Sequence, residues 1–139
     1  MRSAALQKQG KSVAVVGAGG NIGSHILEHI ARMPEVTRVR LIDKDIYERK
    51  HLLSQSITPS DVGRAKAIAQ PRRLRAIRSD LCIEPIAKGV EELPLGTLHC
   101  DAIVACLDSL WSRQVVNAAA WRLGVPWIDG GVNTGHLLA

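Results

Sequence analysis

Phenylalanine is absent from this chain, and tyrosine and methionine occur only once and twice. Val, Leu, Ile and Ala must therefore fill most of any core, and such side chains suit strands buried on both faces of a sheet. No apolar run is long enough for a membrane-spanning helix. Met1–Gly10 has no apolar centre and does not read as a secretory signal, so a cytoplasmic protein is expected. Cysteine is sparse: Cys82, Cys100 and Cys106 are odd in number and include no CxxC pair. That argues against a disulfide scaffold or a structural zinc site within these residues, and makes each thiol a small buried hydrophobe.

The 139 residues, 46% of them apolar, fit a single domain spanning 1–139. Part of the net charge of +5 sits in Arg72, Arg73, Arg75 and Arg78. Their spacing spreads them in more than one direction around a helix. They read either as a solvated face or as a contact for phosphate, an acidic partner or nucleic acid. No aromatic residue interleaves with them, so single-strand nucleic-acid stacking has little support.

Strand and helix patterns alternate. Ser12–Val16 is a short apolar strand. Asn21–Met33 follows as a helix, with Ile22, His25, Ile26, His29 and Ile30 at helical spacing and Pro34 closing it. Val39–Ile42 is a second strand. Residues 44–60 form a polar connection with one helical turn near Tyr47–Leu53. A second helix is expected over Asp61–Ile77, capped by Asp61 and kinked or broken at Pro71. Strands at Leu81–Ile86, Ala102–Leu107 and Val125–Ile128 follow, with a helix over Leu110–Leu123 ending at Gly124. This order implies a Rossmann-like α/β fold: an open, mostly parallel sheet with helices on both faces. The tail Asn133–Ala139 is too short to cover a sheet edge, so the domain is either cut from something longer or shielded by a partner.

The sharpest motif is Gly17-Ala18-Gly19-Gly20-Asn21-Ile22-Gly23-Ser24, placed between a strand and a helix. Gly17 permits the tight turn, Gly19 lets backbone approach a phosphate, and Gly23 allows the helix to pack on the sheet. The helix N-terminus offers unpaired N–H groups and a partial positive charge. The dinucleotide fingerprint wants its third glycine at Ile22, one place before it occurs, and no Lys-Ser or Lys-Thr closes a P-loop. Asp43, at the end of the second strand, can accept hydrogen bonds from ribose hydroxyls, and Asp45 stands two residues on. Arg64 and Lys66 lie near a helix start, where cations gain nothing from the dipole unless they face an anion. Asp108 follows the most apolar strand and either holds Mg²⁺ beside phosphates or shares helix capping with Ser109. Arg113 and Asn117 share a helix face and can brace that loop. His25 and His29 are four apart but lack a third metal ligand, which favours a partly buried helix face. Trp111, Trp121 and Trp127 read as packing residues.

Taken together, Gly17-Ala18-Gly19-Gly20…Gly23-Ser24, Leu41-Ile42-Asp43-Lys44-Asp45, Asp61-Val62-Gly63-Arg64-Ala65-Lys66 and Ala105-Cys106-Leu107-Asp108-Ser109 resemble the ThiF/MoeB/ubiquitin-activating superfamily over Ser12–Val132. The resemblance implies an adenylyltransferase that binds ATP and Mg²⁺ and activates the C-terminal carboxylate of a small ubiquitin-like or sulfur-carrier protein, as a homodimer in some members. It implies that Gly17, Gly19, Gly20 and Gly23 hold phosphates and Asp43 the ribose. Lys66, with Asp45 and Arg64 nearby, would neutralise phosphate charge, and Asp108 would help bind magnesium. Lys66 and Asp108 are the expected catalytic pair.

Several residues depart from the family pattern. The family's turn is usually one residue shorter, without the extra position at Asn21-Ile22. Its Asn and Arg-Gln pair fall on His51 and Ser54-Gln55, so the arginine is missing, with Arg49 or Lys50 as conceivable substitutes. The family's N-terminal arginine segment has only Arg2 to represent it. The C-terminal half of the family's domain, with its catalytic and zinc-binding cysteines, is not present in these residues, so no thioester step is assigned. Two other readings stand beside adenylation: an NAD-binding oxidoreductase or sensor domain, and a degenerate nucleotide-binding partner module.

Overall fold

A computed structural model of the chain describes residues 10–131. Five strands form one sheet in the order β3-β2-β1-β4-β5. They are β1 (Lys11–Val16), β2 (Val36–Ile42), β3 (Cys82–Ile86), β4 (Ala102–Ala105) and β5 (Trp127–Asp129). All pairings are parallel. The helices are α1 (Gly23–Ala31), α2 (Lys66–Ile77) and α3 (Leu110–Leu123). The Rossmann-like α/β fold expected from the alternation is what forms.

Strand alternation sorts the core into two layers. Val13 and Val15 of β1 point to one face and pack with Leu27 and Ile30 of α1, Leu41 of β2 and Leu74 of α2. Ala14 and Val16 point to the other and pack with Ile42, Ile103, Val116 and Ala120. The chain leaves β1 toward β2 on the first face and leaves β4 toward β5 on the second. The sheet therefore has its topological switch point between β1 and β4, and a crevice opens beyond their C-terminal ends.

Helix α3 has the bounds its pattern predicts, with Ser109 as its cap and Gly124 at φ 67° ending it. Helix α1 is shorter than expected. Its buried face is Gly23, Ser24, Leu27, Ile30 and Ala31, so His25 and His29 are exposed instead of partly buried. Leu27, not the histidine stripe, carries the packing.

Helix α2 departs further. It begins at Lys66, not Asp61, and runs unbroken through Pro71. One proline inside a helix removes a single N–H bond, and the buried Pro71 ring packs against the core in exchange. Asp61 instead closes a short 3₁₀ turn at Pro59–Asp61, accepting from Thr58 N at 2.9 Å. Lys66 N is bound by Asp45 O at 2.9 Å.

The arginine group also divides. Arg72 and Arg75 are exposed, as a solvated face requires. Arg73 is half-buried and donates to Ser24 O and Gln70 Oε1. Arg78 donates to Met33 O at 2.9 Å and tethers α2 to the end of α1. Trp111 and Trp121 are 64% and 85% exposed, so neither is the packing residue expected; only Trp127 joins a core layer. Cys82 is exposed too, while Cys100 and Cys106 are partly buried. Arg2 and the 133–139 tail lie outside the described residues.

Candidate functional site

The crevice holds a cavity of about 470 Å³. Gly17, Gly20, Asn21, Asp43, Lys66 and Asp108 are among its lining residues. Four separate stretches of sequence thus meet at one sheet edge, each delivered by the end of a strand or the start of a helix.

The glycine turn is shaped by close approach. Gly17 has φ 76°, and a Cβ there would run into the carbonyl of Cys106 on β4's exit. Gly17 N donates to Ile42 O at 2.8 Å, locking the turn to β2. Gly23 sits so close behind the turn that a Cβ would strike Gly17 O and the Ala18 carbonyl. The N–H groups of Asn21, Ile22 and Gly23 have no acceptor among the described residues. Helix α1 also has no side-chain cap and no acidic residue in its first turn. Its positive end is left bare toward the cavity.

Gly19 is a strut, not a cradle. Its N–H donates to Asp43 Oδ2 at 2.9 Å, and its carbonyl accepts from the Tyr47 hydroxyl at 2.7 Å. Asp43 Oδ1 accepts from Asp45 N at 3.0 Å. The carboxylate is almost wholly buried, and burial raises its pKa; the two N–H donors and nearby Lys66 pull in the other direction. Each oxygen retains a lone pair for a further donor. Asp45 is exposed at the cavity wall, and its own peptide holds Asp43 and Lys66 in register.

Lys66 is 5% exposed. Its Nζ lies 5.3 Å from the Tyr47 ring centroid. It makes no hydrogen bond or ion pair among the described residues. Its stem crosses Gly19, where a Cβ would come within 3.0 Å of Lys66 Cδ and 2.7 Å of the Tyr47 hydroxyl. A buried, unneutralised ammonium at the rim of a cavity favours an anion there. Arg64 is exposed and does not line the cavity. Its peptide closes the loop instead, with its N donating to Asp61 O and its carbonyl accepting from Tyr47 N.

Asp108 is exposed at the cavity mouth, while Ser109 does the capping, its Oγ accepting from Ser112 N at 3.3 Å. Arg113 braces this loop by donating to Leu107 O at 2.8 Å. Its Nε lies 3.2 Å from Asp129 Oδ1, near enough for charge pairing but not aligned as a hydrogen bond. Asn117 is exposed and adds nothing to the brace. Burial pushes the Cys106 thiol up to about 11, with Asp129 adding to it, so the cysteine at the cavity edge stays protonated. No group of three or more His, Cys, Asp or Glu among the described residues could hold a metal ion.

The sequence reading missed Tyr47. This single tyrosine is 1% exposed. Its hydroxyl accepts from Gln70 Nε2 at 2.7 Å while donating to Gly19 O. Gln70 in turn accepts from Arg73, so α2 holds the back of the glycine turn through three side chains. A lone aromatic in an otherwise polar connection was the available signal. His51 also lines the cavity, and its Nδ1 accepts from Glu48 N at 2.9 Å. Partial burial, then Lys66, lowers its pKa and keeps it neutral.

A cavity at a parallel sheet's switch point, with a bare helix end and a buried lysine facing it, defines a Rossmann-like nucleotide-binding domain. The pattern of the ThiF family matches residues 4–138, and the chain belongs to that family. It is 31% identical over 146 residues to ubiquitin-like modifier-activating enzyme 5 of Oryza sativa subsp. japonica, covering 91% of this chain and 34% of that protein. It is 34% identical over 128 residues to the sulfur carrier protein ThiS adenylyltransferase of Bacillus subtilis, covering 88% and 37%. Among solved structures, E. coli MccB with ATP superposes with a TM-score of 0.74 at 27% identity, covering 87% of this chain and 37% of that one. The chain thus spans about a third of the length of these relatives. No helix among the described residues is long and apolar enough to cross a membrane.

Proposed function

We propose that this chain is the ATP-binding part of an adenylyltransferase acting on the C-terminal carboxylate of a small ubiquitin-like or sulfur-carrier protein. The observation that carries the reading is the convergence of Asp43, Lys66, Asp108 and the bare α1 terminus on one cavity. ThiF-family membership and the ATP in the MccB structure support it.

The free amides of Asn21 and Ile22 attract the phosphates. Gly17, Gly20 and Gly23 give the turn its shape, and Gly19 holds Asp43 for the ribose hydroxyls. Lys66 offsets charge on the phosphate chain. The carrier's carboxylate oxygen bonds to the α-phosphorus, the bond from that phosphorus to the bridging oxygen breaks, and pyrophosphate leaves. The chain's contribution is positioning and electrostatic stabilisation. Mg²⁺ fits only as an ion carried by the nucleotide, because Asp108 is a single carboxylate and Mg²⁺ keeps its other ligands as water and phosphate oxygens. Such an ion would neutralise charge on the leaving pyrophosphate. Arg64, facing solvent beside the loop, has no part in this scheme unless the loop rearranges. A homodimer and a cytoplasmic location belong to the same reading.

Isothermal calorimetry of the chain with ATP plus Mg²⁺, and separately with NAD⁺ and NADH, tests it. Binding of ATP that is lost in Lys66→Ala and weakened in Asp108→Ala is expected. Tight NAD⁺ binding without an ATP response would replace it with the oxidoreductase reading. Ser54, where the family carries arginine, favours a second reading as a nucleotide-binding module without catalysis. Absence of ATP–pyrophosphate exchange despite ATP binding, in the chain and in any longer form of the protein, would select that one.

A further inference from the structure

The extra residue of the glycine turn does not simply bulge into solvent. Asn21 Oδ1 accepts from Ser54 Oγ and from Gln55 Nε2, both at 2.9 Å. The residues are 33 and 34 positions apart, so the inserted turn residue is tied to the segment that lacks the family's arginine. Ser54 is further fixed through its carbonyl, 2.8 Å from His25 Nε2, and Ser56 N donates to Ser24 Oγ at 3.0 Å. The whole segment is therefore docked on the first turn of α1.

The hydrogen-bond inventory of this cluster is unbalanced on the cavity side. With Oδ1 engaged twice, Asn21 Nδ2 has no partner among the described residues. Gln55 Oε1 is buried and equally unpartnered. Asn21 and Gln55 both line the cavity, on the side of Lys66 and His51. A primary amide carries two donors on one branch and none on the other. Rotating both amides by half a turn preserves the Asn21–Gln55 bond but exchanges the free groups, leaving Gln55 Nε2 as the donor. In either state one NH₂ group of the pair remains for a ligand. Beside the bare N-terminus of α1 and the Lys66 ammonium, that ligand is an anion.

We propose that Asn21 and Gln55 act as a coupled amide pair that donates an uncharged hydrogen bond to the outer phosphates of the bound nucleotide. Ser54 is a positioning residue that holds the Asn21 amide. The inserted asparagine thus covers the ground left by the missing guanidinium, without a charge. This rests on the nucleotide reading above and adds a residue-level claim to it: the pair senses the β- and γ-phosphates, and AMP does not reach it.

The test compares ATP and AMP affinity by calorimetry for the 139-residue chain and two variants. Asn21→Asp keeps the acceptor that Ser54 and Gln55 hold and removes the NH₂ group. ATP binding is expected to fall at least ten-fold, or about 1.4 kcal/mol, with AMP binding changed less than two-fold and the melting temperature retained. Ser54→Ala frees the amide and is expected to lower the ATP-to-AMP affinity ratio by two- to five-fold. Equal loss of ATP and AMP in Asn21→Asp would overturn the proposal, since it marks a structural role in the turn. Unchanged ATP affinity in that variant would overturn it as well. Failure of the unaltered chain to bind either nucleotide would instead remove the nucleotide reading, and this inference with it.

Discussion

Tyr47→Phe deletes one oxygen atom from the middle of the site and changes nothing on its surface. The hydroxyl joins three elements: it donates to Gly19 O and accepts from Gln70 Nε2, each at 2.7 Å, in a position 1% exposed. Without it, the Gly19 carbonyl is left buried with no donor. Gln70 Nε2 keeps only its long bond to Ser56 O at 3.3 Å. A buried polar group stripped of its partner costs about 1–3 kcal/mol. One full loss and one partial loss therefore predict a destabilisation of about 2–4 kcal/mol, a sizeable part of the 5–15 kcal/mol typical of a domain. Urea unfolding followed by circular dichroism reads this as a lower midpoint at constant slope. A double cycle with Gln70→Met isolates the pairwise contribution. A Tyr47→Phe change below about 0.5 kcal/mol, in the range of ordinary surface substitutions, would refute the reasoning, because the hydroxyl would then not be holding the turn. ATP affinity should fall in the same variant, since Gly19 also orients Asp43.

Two further outcomes follow from the same geometry. Because the chain has one tyrosine, a phenolate absorbance titration reports Tyr47 alone, and burial should hold its ionisation near about 12. That neutral preference contributes stability below the unfolded value of 10.0 and is lost as pH rises from there through the folded value; a midpoint near 10 in the folded protein would contradict it. Gly23→Ala places a methyl against Gly17 O and the Ala18 carbonyl. Backbone cannot yield as a side-chain tip does, so a loss of about 2 kcal/mol or more is expected from overpacking; a melting temperature within 2 °C of the unaltered protein's, read by differential scanning fluorimetry as a shift of under roughly 1 kcal/mol, would disprove the close approach.

The elements whose limits were readable are those fixed by neighbours in sequence. Helix α3 carries its own cap in Ser109 and its own stop in Gly124, and both do as their local chemistry dictates. The strands announce themselves by apolar runs, and the switch-point crevice follows from their order. Local signals failed where a distant partner outbids them. Asp61 looks like a helix cap, yet Thr58 and a 3₁₀ turn claim it, and α2 waits for Lys66, whose N–H is already bound by Asp45 O. His25 and His29 fall on an apolar-looking stripe, but Leu27 lies nearer the sheet and decides the burial. Trp111 and Trp121 sit on a helix whose buried face is made by Ser112, Val116, Ala119 and Ala120 instead.

The site shows the same division in sharper form. Gly17, Asp43, Lys66 and Asp108 were identifiable because each stands at the end of a strand or the head of a helix, where the fold alone brings them to the cavity. Tyr47 and Gln70 were not, since nothing short of the folded chain shows that residues 23 and 28 positions apart share one hydroxyl. Asn21 and Ser54 lie between these cases. Each is visible in the sequence as a departure, one an insertion and the other a lost arginine. Two independent departures would weaken a nucleotide site twice over. Joined by a hydrogen bond at 2.9 Å, with Gln55 on the same oxygen, they become a single exchange of a charged donor for a neutral one. Reverting one without the other should then harm the site: an arginine at Ser54 would meet Asn21 in the space it needs, and ATP affinity should fall unless Asn21 is deleted with it. A gain in affinity from Ser54→Arg alone would show the two departures to be unconnected.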